Sequence, residues 1–168
     1  PPGTQATQSN GRTGAVLLRQ NCAAGTGKNL VLTDVTIITQ GDGNNNDLIP
    51  FWALTGTNAG RVSNVYSTGT MTNSGPDYNA FGGLVGVNTG LISNAYSSLT
   101  LSSGMWGTSV GGLVGINSGT ISSSYAAGAV TGSGRDVKVG GLVGQNTAGS
   151  VINSYAIGAV NSGGTPGS

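Results

Sequence analysis

The chain repeats itself every 29 to 30 residues, and that recurrence constrains its fold more than anything else in it. Gly82-Gly83-Leu84-Val85-Gly86, Gly111-Gly112-Leu113-Val114-Gly115 and Gly140-Gly141-Leu142-Val143-Gly144 begin 29 residues apart. Tyr66, Tyr96, Tyr125 and Tyr155 follow at spacings of 30, 29 and 30. An Asn stands two residues after the last Gly of each block, at 88, 117 and 146. A degenerate first unit, Trp52-Ala53-Leu54-Thr55-Gly56-Thr57-Asn58, replaces the double-Gly block but keeps Gly56 and Asn58. Five residues after each Tyr comes an apolar side chain: Met71, Leu101, Val130 and Val160.

Within a unit the apolar residues come in short bursts bounded by Gly, Asn or Ser. Leu113-Val114, Thr120-Ile121 through Tyr125, and Ala129-Val130 are the three of one unit. Such bursts are too short for helices and suit short strands between turns. Repetition at this period predicts an all-β parallel β-solenoid (a β-helix) of about four 29–30-residue coils, plus an N-terminal coil or cap.

Composition agrees. Gly accounts for 32 of 168 residues, and Glu is absent, so helix formers are scarce. With 36% apolar residues and a net charge of +1, the chain lacks the signature of disorder. It also lacks the basic footprint that nucleic acid or an anionic membrane surface requires. No run of 18 apolar residues is present, so no membrane insertion is expected.

In a parallel solenoid each coil lies about 4.8 Å above the previous one, so equivalent residues stack. Val62, Ile92, Ile121 and Val151 form one expected interior column; Leu84, Leu113 and Leu142, or their Val neighbours, form another. Asn58, Asn88, Asn117 and Asn146 are expected to form a ladder in which each amide bonds the next. Gly56, Gly86, Gly115 and Gly144 suit corners that need positive φ or a close approach of backbones. A charge repeated in every coil would stack like charges, which explains why the frame is nearly free of them. Tyr66, Tyr96, Tyr125 and Tyr155 leave two readings open. Alternation from Ile92 puts Tyr96 on the inner face, whereas a corner near Asn94 breaks that parity. The column is then either a partly buried structural stack or an exposed ladder for a ligand.

The consensus G-G-L-V-G-x-N-x-G-x-I-x-x-S-Y-a-x-G-x-V resembles the GLUG-motif repeat of large bacterial and archaeal cell-surface proteins, including adhesins and some surface peptidases. The resemblance covers about 110 of 168 residues, is strongest in the units at Gly111 and Gly140, and is weakest at Trp52. It implies a β-solenoid in an extracellular stalk or accessory segment, and it carries no catalytic residue.

Four segments are expected. Residues 1–14 read as a flexible or partner-docked arm, 15–50 as N-terminal strands or a capping coil, 51–160 as the repeats and 161–168 as a linker-like tail. Ala15-Val16-Leu17-Leu18 and Leu30 to Thr39 are the strands of the second segment. No second cap is visible in the sequence, which points to continuation into another module or stacking on a neighbour.

Candidate chemistry is sparse. His is absent and Cys22 is alone, so a general-base imidazole, a zinc site and a Cys–His pair are all excluded. Cys22 reads as a buried thiol or as one half of an intermolecular disulfide. Gly25-Thr26-Gly27-Lys28 falls short of a phosphate loop, which would need Gly at Cys22 and Ser or Thr at Asn29. Asp42, Asn44, Asn46 and Asp47 alternate oxygen ligands as a Ca²⁺ loop does. Asp47 and Ala53 stand where an EF-hand needs Gly and Glu, so a solvated polar loop is expected, with Ca²⁺ as the alternative and no other cofactor. The loops before each double Gly vary. Counting back five residues aligns Asp77, Trp106 and Arg135, with Tyr78 beside them. Phe81, Val110 and Val139 should point inward. Tyr78, Trp106 and Arg135 are therefore candidate partner contacts, against the alternative of loop packing on the coil edge.

The expected function is a non-enzymatic structural module of an extracellular surface protein: an adhesin stalk, or a subunit of a self-assembling filament, sheath or surface layer. Its expected partners are further copies of itself, end to end, or another cell-surface protein. The alternative is a binding module that recognises glycan or host protein through the inter-repeat loops.

Overall fold

The computed structural model describes residues 5–7, 18–21, 24–40, 52–74, 80–104 and 106–163. The Ca²⁺ candidate Asp42, Asn44, Asn46 and Asp47 lies outside them, as do Cys22, Asp77, Tyr78 and Ala15 to Leu17.

The chain is an all-β parallel solenoid, and among the described residues every strand pairing is parallel. The bottom layer holds β2 (Leu18–Asn21) and β3 (Thr26–Gln40), with β1 (Gln5–Thr7) beneath part of β3. Above it lie β4 (Thr55–Asn58) and β5 (Arg61–Ser74). The next layer has β6 (Ala80–Gly82), β7 (Val85–Asn88) and β8 (Leu91–Ser103). Then come β9 (Ser109–Gly111), β10 (Val114–Asn117), β11 (Thr120–Ser122), β12 (Tyr125–Ala126) and β13 (Val130–Gly132). The top layer is β14 (Lys138–Gly140), β15 (Val143–Asn146), β16 (Ser150–Ile152), β17 (Tyr155–Ala156) and β18 (Val160–Ser162).

These strands make three faces. One has the order β2-β4-β7-β10-β15, one β6-β9-β14, and the broad third runs β1-β3-β5-β8-β11-β16 with β12, β13, β17 and β18 alongside. The five strands of the first face bound four turns. In the lower layers the second and third apolar bursts of a unit merge into the long β5 and β8; in the upper two layers they split.

Register follows the repeat. Val62 pairs with Ile92, Ile92 with Ile121 and Ile121 with Val151. Met71, Leu101, Val130 and Val160 form a second file. Leu54, Leu84 and Leu113 are fully buried, and Leu142 is half-buried above them. Two apolar clusters result. Val62, Val65, Ile92 and Ile121 pack against Leu84 and Leu113. Met71, Leu99, Leu101 and Val130 pack against Phe81 and Val110.

The second face was not apparent in the sequence. Residues 80–82, 109–111 and 138–140 read there as loop ends, yet they pair in register as strands. They are three residues long, differ between units and end on Gly, so neither period nor propensity marks them. Their inward members are Phe81 and Val110, both buried, and Val139, which packs against the same cluster.

Corners depend on a left-handed residue. Asn64, Asn94, Ser123 and Asn153 have φ of 54°, 50°, 48° and 49°, a region that short polar side chains tolerate best. This kink leaves Ile92 and Ala95 both inside, with Asn94 exposed between them. Tyr96 is thereby turned to the outer surface.

Of the two roles open to the frame glycines, close approach applies to Gly115 and Gly144. Among described residues only Gly69 and Gly107 have glycines' positive φ. A methyl on Gly115 would lie 2.6 Å from Phe81 N and 2.8 Å from Gly86 O; one on Gly144 would lie 2.6 Å from Val110 N.

Candidate functional site

Three features repeat through the stack and could carry a role: an amide ladder, a tyrosine file and an edge of loops. The ladder is internal. Asn58 Nδ2 donates to Asn88 Oδ1 at 2.8 Å, Asn88 Nδ2 to Asn117 Oδ1 at 2.8 Å, and Asn117 Nδ2 to Asn146 Oδ1 at 2.9 Å. Asn58, Asn88 and Asn117 are fully buried. At the top, Asn146 is exposed and its amide turns to Gly149 O at 2.8 Å. The ladder therefore has a direction, with every donor pointing toward the next layer.

A second set of polar contacts reinforces the same corner. Thr89, Ser118 and Thr147 each donate a hydroxyl to the carbonyl of the Asn one layer below, at 3.2, 3.3 and 3.2 Å. Sequence reasoning passed over them, although a hydroxyl residue follows Asn88, Asn117 and Asn146 without exception. Near the opposite corner Ser124 Oγ accepts from Ala95 N and donates to Ser122 O. Ser154 repeats both bonds one layer up.

The tyrosines line up in a file: Tyr66 pairs in register with Tyr96, Tyr96 with Tyr125 and Tyr125 with Tyr155. Ring centroids of Tyr96 and Tyr125 are 4.6 Å apart and tilted by 36°; those of Tyr125 and Tyr155 are 5.3 Å apart and nearly parallel. Tyr66, Tyr96 and Tyr125 are half-buried, while Tyr155 is exposed. Stacking has a chemical consequence. A sugar or aromatic ligand needs a free ring face, and Tyr125 has a ring neighbour on each side, so its place in the file favours a structural stack.

At the loop edge, Trp106 and Arg135 sit in adjacent layers joined by Gly107 N donating to Arg135 O at 2.8 Å. Gly107 has φ 60°, which permits the tight turn that holds Trp106 out, 55% exposed. Arg135 lies 3.8 Å from Asp136, an exposed pair of small energetic weight. Among the described residues no three His, Cys, Asp or Glu side chains gather as a metal site would require, and no helix is long and apolar enough to cross a membrane.

The top layer differs from those below in one respect that sequence could not disclose. Val151 is 42% exposed although Ile121, beneath it in the same column, is fully buried. A sequence shows which residues share a column but not which layer ends the stack.

Comparison with curated proteins and with solved structures returned no match. A family model, the GLUG motif, matches residues 138–161, which form the top layer from β14 into β18. The match falls on one layer, the layers below repeat its register, and the chain is consistent with a GLUG-repeat β-solenoid.

Proposed function

We propose that this chain is a non-enzymatic structural module of an extracellular surface protein, serving either as a stalk segment of an adhesin or as a subunit of a self-assembling filament, sheath or surface layer. The unbroken amide chain from Asn58 to Asn146, buried as far as Asn117, is the observation that carries this reading. It runs along the solenoid axis beside continuous apolar columns and so ties each layer to the next. A rod built this way resists bending and proteolysis without disulfides, because opening any layer exposes an apolar rung and orphans buried amides. A surface poor in charge and rich in Ser, Thr, Asn and Gly suits an extracellular setting, and copies joined end to end would extend the rod.

Electron microscopy of purified protein over a range of concentrations tests the filament form. Rods that lengthen with concentration support it; dispersed monomers at the highest concentration oppose it. Surface shaving of the parent cells with protease tests the location: release of peptides from this chain supports an extracellular position.

The exposed Trp106 favours one second reading, a module that binds glycan or host protein through its loop edge. A glycan array probed with the native chain and with Trp106→Ala decides it, since equal binding by both removes that edge from consideration.

A further inference from the structure

The described exposed large apolar side chains are not spread over the surface. Apart from Trp106, they lie in the first and last layers: Val31 in β3, and Val151, Ile152, Tyr155, Ile157 and Val160 at the top. The two ends match column by column. Val31 pairs in register with Tyr66 and so belongs to the file that ends at Tyr155. Asn21 pairs with Asn58 and so heads the column that ends at Asn146. Ile37 pairs with Met71 and so begins the file that ends at Val160.

Among the described residues the lower edge is largely unpaired. Among the described residues β2 pairs only with β4, and Thr26–Leu32 pair only with β5. The exception is Thr36–Ile38, where Gln5–Thr7 of β1 sits in parallel register. Ala6 there lies under Ile37 in the file that ends, five layers higher, at Val160.

We propose that β1 is a replaceable stopper and that the occupant of this edge is the top layer of a second copy, seated head to tail. In the joint, β18 of the incoming copy displaces β1 from Thr36–Ile38, Tyr155 comes under Val31, and β15, which carries Asn146, comes under β2 with Asn146 in register with Asn21. Direction decides the partner. Every ladder here is parallel and the amide chain donates upward, so only the top of one copy continues the bottom of another. Two tops would meet as antiparallel strands with two amide donors facing. The exchange favours the joint because β15, β16, β17 and β18 arrive together where β1 alone departs. Such a contact joins different surfaces and does not close, so it propagates as a line. This proposal rests on reading the chain as a self-assembling rod.

The test compares the full chain with a variant lacking residues 1–7, by sedimentation velocity and electron microscopy. Removing the stopper should lower the concentration at which rods appear by about tenfold, the effect of one or two net hydrogen bonds. Val160→Asp in the shortened chain should abolish rods while leaving the circular dichroism melt in place, since that side chain is already 47% exposed. In a Cys22→Ser background, the pair Val31→Cys and Tyr155→Cys should cross-link under oxidation into dimers, trimers and longer species, whereas either cysteine alone stops at dimers. If the full chain forms rods and loss of residues 1–7 leaves their onset unchanged, the stopper is wrong and the rod reading stands. Monomers from both chains, with no cross-linked series, would overturn both.

Discussion

Asn88 Nδ2 lies 2.8 Å from Asn117 Oδ1, and this single amide bond joins residues 29 apart in sequence at full burial. Asn88 also accepts from Asn58 and reaches Gly90 O at 3.3 Å. Asn88→Ala would orphan the buried acceptor of Asn117 and remove the acceptor that Asn58 Nδ2 uses at 2.8 Å. A loss of about 2–4 kcal/mol is expected from two buried hydrogen bonds removed together. Asn146→Ala, at the exposed end, should cost under about 1 kcal/mol. Urea titrations of the two variants against the parent check the difference. Equal losses would mean that burial of the amide, rather than its side chain alone, is not what gives the ladder its weight.

Backbone proximity sets the second prediction. A Cβ on Gly115 would meet Phe81 N at 2.6 Å and Gly86 O at 2.8 Å, and neither atom can retreat without moving a whole strand. Gly115→Ala should destabilise the chain by about 3 kcal/mol or more. Gly104 is the control: a Cβ there meets only Ser133 Oγ, at 3.9 Å, on an exposed segment. Gly104→Ala should stay within about 0.5 kcal/mol. Thermal melts followed by circular dichroism measure both.

Asn94 carries the third. Its φ of 50° places a non-glycine residue in the left-handed region at the corner between Ile92 and Tyr96. Asn94→Ala should lose about 1 kcal/mol from strain that Asn tolerates better, and Asn94→Gly should lose little or gain slightly. The rank order Gly, Asn, Ala in chemical denaturation is the readout. Alanine equal to glycine would show that the corner imposes no backbone demand.

That same corner explains what the sequence could and could not reveal. Column partners were legible because stacking places like over like: the 29-residue step alone aligns Ile92 with Ile121 and Asn88 with Asn117. The orientation of Tyr96 was not, because it depends on one residue's φ, and the corner is filled by Asn in four layers (Asn29, Asn64, Asn94 and Asn153) and by Ser123 in another. The face built from β6, β9 and β14 escaped notice because Ala80–Gly82 and its equivalents share little beyond a terminal Gly. Of the candidate contacts, Trp106 was legible as a large apolar residue in a variable loop, and it stands out from the surface. The exposed end layer was not legible, since Ile121 and Val151 look alike in sequence and differ only in what lies above them.

The contrast between Ile121 and Val151 yields the last prediction. Both occupy one column, paired in register, and they differ in exposure from 0% to 42%. Ile121→Ala removes buried methyl groups between two fixed layers, where little can relax into the space. A cost of about 2–5 kcal/mol is expected. Val151→Ala removes atoms that water already reaches, so the monomer should lose under about 1 kcal/mol. The two values should converge once copies are joined, because a layer seated above Val151 gives it the surroundings that Ile121 has. Hydrogen exchange resolves this directly: Ser150 N already donates to Gly119 O in the layer below, so the amide to follow is that of Val151, which alternation turns toward the side with no described strand; it should exchange quickly in dilute protein and slow markedly at concentrations where rods form, while that of Ile121 stays slow throughout. Fast exchange at the upper strand under rod-forming conditions would place the contact between copies somewhere other than this layer.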